Sequence, residues 1–413
     1  MRLLRLPSYF EPEKAASTYL WNNLSDAFAQ AGIEMVVYTP MPTRGVSKEV
    51  REAYKRKPVE ITHGGMMTTR RFKLFNEGRN TFMRALRYFI QDVKQFNFAV
   101  FSKEGRSCDC IFFNSTPPTQ AAMVALVKKI RKIPTVYSLQ DIFPDSLVST
   151  GLTKKGSLLW KIGRSIENFS YRHCDKIVVI SEEFKRNLLT KGVPEEKIEV
   201  IPNWVESETV YSVPRDENKL VEKCGIDKNA FVVTYCGNIG MTQNINLLIE
   251  IMEEFLTEKT DIHLVLFGDG AYYEALENII KDKNLVNTKL FKFQPYEDIA
   301  HVFSLGDASL VISNPGVGTS SVPSKTWSIM SASRPVIASF DGKELHDIIE
   351  KSESGLCVPA GNKEALKDAI MKLYADRALC ERYGQNGRQY VEENLTREKG
   401  VAKYVEVCRS CCK

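Results

Sequence analysis

Several things are scarce in this chain, and each absence closes a class of function. Only five histidines occur in 413 residues, and none falls into a nucleophile–histidine–acid constellation, so a hydrolase triad is not indicated. No Asp-x-Asp triplet occurs, so a diphosphate held through a carboxylate-bound metal is not indicated and no metal ligands are assigned. No apolar run approaches the ~20 residues that span a bilayer. The opening MRLLRLPSYF turns polar too soon for a signal peptide and reads as a first strand. The ten cysteines form no framework, as in a reducing compartment. Cys408, Cys411 and Cys412 cluster but lack the histidine partner of a zinc site. Excess charge is also small: a net +5 suits polyanionic substrates or an acidic membrane surface and specifies neither. The expected location is the cytoplasm, extending to the inner face of the cell membrane.

What is present is a regular alternation of strand and helix in each half, which predicts an α/β architecture of two Rossmann-like, doubly wound parallel sheets. In the first half, strands are expected at 1–6, 34–38, 110–114, 135–138, 176–180 and 198–201, with helices over 15–31, 119–130, 157–172 and 183–191. In the second, strands are expected at 231–236, 263–267, 288–292 and 308–312, and again after Arg334-Pro335. A polar linker containing Pro214 separates the halves, giving domains 1–205 and 206–389. Residues 43–106 fit least. Basic residues from Lys55 to Arg87 interleave there with aromatics, and 80–95 reads as an amphipathic helix. Its Arg84 and Arg87 suit anionic lipid headgroups; the alternative is a helix packed on the first sheet with a solvated basic face.

Three stretches carry chemistry. In Ser320–Ser339, SSVPSKTWSIMSASRPVIAS, Pro323 fits the start of a short helix and Ser324 its N-cap. Lys325 then stands beside free N–H groups at the positive end of the dipole, where a phosphate fits; an ordinary capped crossover helix is the alternative. The second stretch is a strand that runs into Gly237-Asn238-Ile239-Gly240, and Gly268-Asp269-Gly270 follows the next strand. Such glycines permit close backbone approach to a ligand, although Gly-Asp also favours plain turns. The third is Gln140-Asp141-Ile142-Phe143-Pro144-Asp145-Ser146, after a central strand, where open α/β sheets bind ligands. Asp141 suits orienting a hydroxyl or moving a proton, or capping the turn before Pro144. Ser181-Glu182 follows another strand and suits either a ligand contact or a helix cap.

Together with Pro202-Asn203-Trp204-Val205-Glu206, these strings resemble family 4 glycosyltransferases of the GT-B fold, in the branch that builds bacterial capsule and O-antigen. They are similar to N-acetyl-fucosamine-type transferases. The resemblance covers most of the chain and is weakest over 43–106. It implies two domains facing across a cleft and a terminal helix, about 390–413, that crosses back onto the first. It implies retaining transfer, without a metal cofactor, from a nucleotide-sugar donor, a UDP-sugar with N-acetylated sugars among the candidates. The implied acceptor is a lipid-diphosphate-linked saccharide or a polysaccharide. Peripheral contact with an anionic membrane surface is also implied, and no nucleic acid. Donor binding falls to Gly237, Asn238, Gly240, Gly268, Asp269, Gly270, Ser321, Val322, Pro323, Ser324 and Thr326. Catalysis falls to Asp141 and Lys325, and the acceptor side to Lys14, Ser181 and Glu182.

The chain departs from the family's pattern in places that matter. Ser320 and Ser328 stand where a Glu-x7-Glu pair is usual, so any hydrogen bond to ribose lacks the carboxylate charge. Asn238 and Gln243 stand where Arg and Lys hold the diphosphate, which leaves Lys325 as the main positive charge. The loop Glu13-Lys14-Ala15-Ala16-Ser17 lacks the paired glycines of many members. Two rival readings follow: a degenerate sugar-nucleotide binder or transferase partner without turnover, and a nucleotide-sugar epimerase of the related fold.

Overall fold

The structure is a computed structural model and describes residues 1–13, 18–76, 81–149, 153–317 and 322–412. The chain divides into two compact units, Met1–Asn203 with the residues from Glu398 on, and Trp204–Arg397. Each holds one sheet.

The first sheet contains β1 (Arg2–Arg5), β2 (Glu34–Pro40), β3 (Val59–Thr62), β4 (Met67–Phe72), β5 (Cys110–Asn114), β6 (Thr135–Leu139), β7 (Lys176–Val179) and β8 (Ile198–Val200). Their order is β3-β4-β2-β1-β5-β6-β7-β8, with only the edge strand β3 antiparallel. Helices cover both faces, so the central strands are apolar on both sides. Alternation along β5 shows this: Phe112 meets Trp21, Phe28 and Tyr404 edge-on, while Ile111 and Phe113 face the opposite core with Val124, Val127 and Tyr171. That second core is roofed by helices Thr81–Phe101, Gln120–Arg131 and Leu158–His173, packed side by side in that order.

The second sheet contains β9 (Phe231–Asn238), β10 (Ile262–Asp269), β11 (Thr288–Phe291), β12 (Ala308–Ile312), β13 (Val336–Ser339) and β14 (Gly355–Val358). All are parallel, in the order β11-β10-β9-β12-β13-β14. The order reverses at β9 and β12, and in open sheets ligands bind outside the carboxyl ends of strands at such a point. The register sets Gly237 opposite Gly268 and Asn238 opposite Asp269, so both glycine-bearing turns lie at that edge.

Three expectations change. Residues 43–106 are more regular than expected: helix Lys48–Arg56, then β3 and β4, precede the long helix. The basic character there is partly internal. Arg87 is only 1% exposed and donates to the Phe75 carbonyl and Thr43 Oγ1, so it is unavailable to a lipid surface, whereas Arg84 is exposed. Arg71 is buried too, donating to the Glu11 carbonyl and pairing with Glu60. Finally, the two terminal helices expected at about 378–383 and 386–408 break later, as Arg377–Asn394 and Arg397–Cys411, so the helix that belongs to the first unit starts at Arg397 rather than at about 390. In the second of them Tyr404 Oη lies 3.0 Å from Ser138 Oγ and Arg409 donates to the Ala31 carbonyl.

Candidate functional site

The carboxyl edge of the second sheet gathers Lys325, Tyr235, Cys236 and the two glycine turns. Lys325 opens the helix Lys325–Ser331. Its ammonium lies 4.0 Å from the centroid of the Tyr235 ring, a cation–π contact. A Cβ on Gly237 would stand 2.6 Å from Lys325 Nζ, and Gly237 itself has φ +156°, so a side chain here would be strained and would displace the lysine. Among the described residues no carboxylate pairs with Lys325. Desolvation lowers its pKa to about 8, opposed only by the Cys236 thiol. The side chain as a whole is half-buried, and the crowding is at its ammonium end. The result is a cation with a ring and a thiol for company, set where backbone approach is closest.

Close backbone packing also fixes the second turn. A Cβ on Gly268 would stand 2.1 Å from the Gly237 carbonyl oxygen, and one on Gly270 2.3 Å from that of Ile239. The Tyr235 hydroxyl donates to the Asn238 carbonyl at 2.7 Å, and Asn238 Nδ2 to Gln243 Oε1 at 3.2 Å, so the first turn is tied to its own strand. The neighbouring loop is tied in as well. Asn314 donates from its backbone to Thr242 and from its side chain to Met241. Asp341 accepts the N–H groups of Gly316 and Ala360. Asp269 is exposed; its pairing with Lys292, 2.9 Å away, and its bond from Gly270 N–H hold its carboxyl below the usual value.

Around Lys325 the expected helix start differs. Ser324 is itself in helical conformation and its hydroxyl makes no capping bond. The chain enters through a tight turn in which the Pro323 carbonyl accepts Thr326 N–H at 3.0 Å and the Ser324 carbonyl accepts Trp327 N–H at 3.1 Å. Ser324 is exposed and Val322 and Pro323 half-buried, whereas Thr326 is fully buried, with no partner for its hydroxyl among the described residues. Ser328 is half-buried on the same helix. With seven residues this helix carries little macrodipole, so the positive charge of the edge rests on Lys325. Ser320 and Ser321 lie outside the described residues.

In the first unit, Asp141 follows β6 and is exposed. Local desolvation raises its carboxyl, against bonds from Ser146 and the Ile142 N–H, and solvent screens so exposed a group. The loop it belongs to is held from behind. Asp145 pairs with Lys191 at 2.7 Å, and Lys191 pairs with buried Glu167 at 2.8 Å. Burial pushes the Asp145 carboxyl up, but Lys191 outweighs it and the net shift is downward. Ser181 is buried and caps the helix Glu182–Thr190, accepting Phe184 N–H at 3.1 Å, which is the capping reading. Glu182 is exposed in that helix's first turn. Lys14 lies outside the described residues. Tyr235 and Cys236 were not singled out from the sequence. The available signal was spacing, since Tyr235 stands two residues before Gly237 on one strand and so shares its face.

Comparison with known proteins gives this edge a setting. Alr3699/HepE from Anabaena, solved in complex with UDP, has a TM-score of 0.74 at 16% identity over 99% of this chain and 100% of its own, which defines the fold as that of the GT-B class. The family model Glycosyltransferase Family 4 matches residues 18–209 and the model Glycosyl transferases group 1 matches 216–390. The chain belongs to this glycosyltransferase family. It is 25% identical to WcaI of Escherichia coli (strain K12), assigned to colanic acid biosynthesis, over 69% of this chain and 70% of WcaI. It is 24% identical to the glycosyltransferase WbjE of Pseudomonas aeruginosa over 72% of this chain and 74% of WbjE.

Proposed function

We propose that this glycosyltransferase moves a sugar from a UDP-sugar, with N-acetylated sugars in scope, to a lipid-diphosphate-linked saccharide in bacterial surface polysaccharide synthesis, with retention and without a metal. The observation that carries the reading is Lys325, a crowded cation at a glycine-lined strand edge with no carboxylate partner among the described residues. A diphosphate there supplies the missing anion, and the ammonium stabilises the charge that grows on the departing UDP. With its pKa lowered to about 8, Lys325 is still mainly protonated at neutral pH before any anion binds. Asp141 is assigned to orienting the acceptor hydroxyl. The UDP bound by HepE and the assignment of WcaI to colanic acid biosynthesis support the donor and pathway class. Membrane location follows from a lipid-linked acceptor; among the described residues no helix is long and apolar enough to cross a membrane.

Thermal-shift measurement against UDP, GDP, ADP and dTDP, each with and without chelator, tests this directly, because a ligand of the native state raises the melting point. UDP alone should raise it, by the same amount with chelator. A shift that vanishes with chelator overturns the metal-free mechanism. No shift with any diphosphate makes Ser320 and Ser328 decisive and favours the degenerate binder. UDP released from UDP-sugar at the same rate with and without acceptor favours the epimerase.

A further inference from the structure

Cys408, Cys411 and Cys412 are grouped in the sequence, and the fold brings them a fourth thiol. The helix Arg397–Cys411 packs on the side of the first sheet that Phe112 faces, with Tyr404 edge-on to its ring. Tyr404, Cys408 and Cys411 are spaced four and three residues apart, so they share one stripe of that helix. Cys110 stands two residues before Phe112 on β5 and shares its face. From Tyr404 the helix runs toward the amino end of β5, which carries its last residues to Cys110.

Three thiols meet there. Cys110 is hydrogen-bonded to both Cys411 and Cys412. A separate contact fixes the same place: Cys411 Sγ lies 3.7 Å from the Thr135 carbonyl oxygen, and Thr135 on β6 pairs with Ile111, the neighbour of Cys110. The three differ in access. Cys110 is wholly buried, and Cys411 and Cys412 are half-buried. The bonds to Cys411 and Cys412, with burial, hold the proton on Cys110, and the same bonds draw the other two thiols below their ordinary value. A reachable thiol with a lowered pKa is the one that attacks a disulfide. Cys408 is fully buried, and burial pushes its thiol up, so it stays out of such exchange. A bond between Cys411 and Cys412 themselves is disfavoured, because adjacent Cα atoms are ~3.8 Å apart and disulfides begin at ~4.4 Å. Cys110 is the partner that both can reach.

We propose that Cys110, Cys411 and Cys412 form a thiol–disulfide exchange site, in which a small-molecule disulfide such as glutathione disulfide drives a bond from Cys110 that clamps the end of the helix Arg397–Cys411 to β5. The thiolate of Cys411 or Cys412 attacks one sulfur of the glutathione disulfide and releases one glutathione thiolate, which takes up a proton. Cys110 then gives up its proton, and its thiolate attacks the protein sulfur of the mixed disulfide and releases the second glutathione. Two protein thiols are oxidised, and one disulfide is reduced to two thiols. The third protein thiol remains in contact with the new bond and can attack it, so the link exchanges between Cys411 and Cys412, and reduced glutathione reopens it. The clamp lies at the amino edge of the sheet, opposite the edge that carries Asp141. What it holds in place is the helix whose Tyr404 hydroxyl meets Ser138, three residues before Asp141.

The test equilibrates the full chain in glutathione buffers of rising oxidised fraction, traps free thiols by alkylation, and maps the linked peptides by mass spectrometry. The parent should show Cys110 joined to the peptide that carries Cys411 and Cys412. Cys411→Ser and Cys412→Ser should each keep one link, and the two together should abolish it. Cys110→Ala should leave only glutathione adducts on Cys411 and Cys412. Amide hydrogen exchange over 398–411 should slow at least about tenfold in the oxidised parent relative to the reduced parent, and should not change with oxidation in the double serine variant. That variant alters only half-buried positions, so it decides the matter even where Cys110→Ala does not fold. A link through Cys108, Cys174 or Cys408 in place of Cys110 overturns the proposal. So do glutathione adducts that never close to a protein disulfide, exchange rates equal in the two forms of the parent, or a stoichiometric zinc ion that shields the three thiols.

Discussion

Lys191 in the first unit and Lys325 in the second both hold an ammonium group against packed protein, and their neighbours differ. The Lys191 side chain is 5% exposed and lies between the carboxylates of Asp145 and Glu167, with Arg164 and Tyr171 completing the cluster. Charge there is balanced, and what the cluster does is architectural: it fastens the loop carrying Asp141 to the helices behind it. Lys325 has the Tyr235 ring, the Cys236 thiol and the Gly237 backbone, and no carboxylate among the described residues. A charge withdrawn from water without a counter-charge is costly. That imbalance is what the proposed diphosphate would relieve at Lys325, and Lys191 has no such need.

Substitution breaks the comparison at its strongest point first. Lys191→Met should leave Asp145 and buried Glu167 short of a partner and cost about 3–5 kcal/mol of stability, as for other broken buried pairs. Urea denaturation measures it, and a loss below about 1 kcal/mol would class the cluster with ordinary surface pairs.

Lys325→Met should do the reverse, leaving the melting point equal or higher while turnover falls about 100- to 1,000-fold. Its pH behaviour has a definite sign. The folded pKa, about 8, lies below the ordinary 10.5. Between those values the unfolded chain binds the extra proton, so this group's contribution to stability rises with pH, and below about 8 it adds no slope. Under the proposed function, binding of UDP should run the other way, weakening as the free protein loses its ammonium above about pH 8. Calorimetric titration across pH 7–9 should show that decline in the parent and not in Lys325→Met.

The smallest effect sharpens the role of the ring. Tyr235→Leu removes the cation–π contact, worth about 1 kcal/mol, and should move the midpoint of that decline to lower pH, whereas Tyr235→Phe keeps the ring and should leave it in place. Equal midpoints in the two variants would mean that the ring does not hold the ammonium.

How much of this was legible in the sequence depended on whether a signal was local. The parallel strands were, because burial on both faces leaves runs such as Phe231–Tyr235 almost wholly apolar. β3 and β4 were not. β3 exposes Ile61 at the sheet edge, and β4 carries Arg70 and Arg71 inside the strand, so neither reads as an apolar run. Arg87 looked like part of a solvated face because only tertiary partners, Phe75 and Thr43, reveal its burial. The same holds at the site. Lys325 was marked by its string, while Tyr235 looked like one more core residue of a strand. Ser324 fitted a cap by type, but the turn from Pro323 had already made it helical.

The two crossings of the chain, after Asn203 and after Arg397, set an order on synthesis. The second unit is continuous in sequence and can close as soon as it has emerged from the ribosome. The first cannot: Tyr404 and Cys408, both buried within it, belong to a helix made some two hundred residues later. The segment translated first is thus the last to be completed, and until then the side of its sheet around Phe112 waits unsealed.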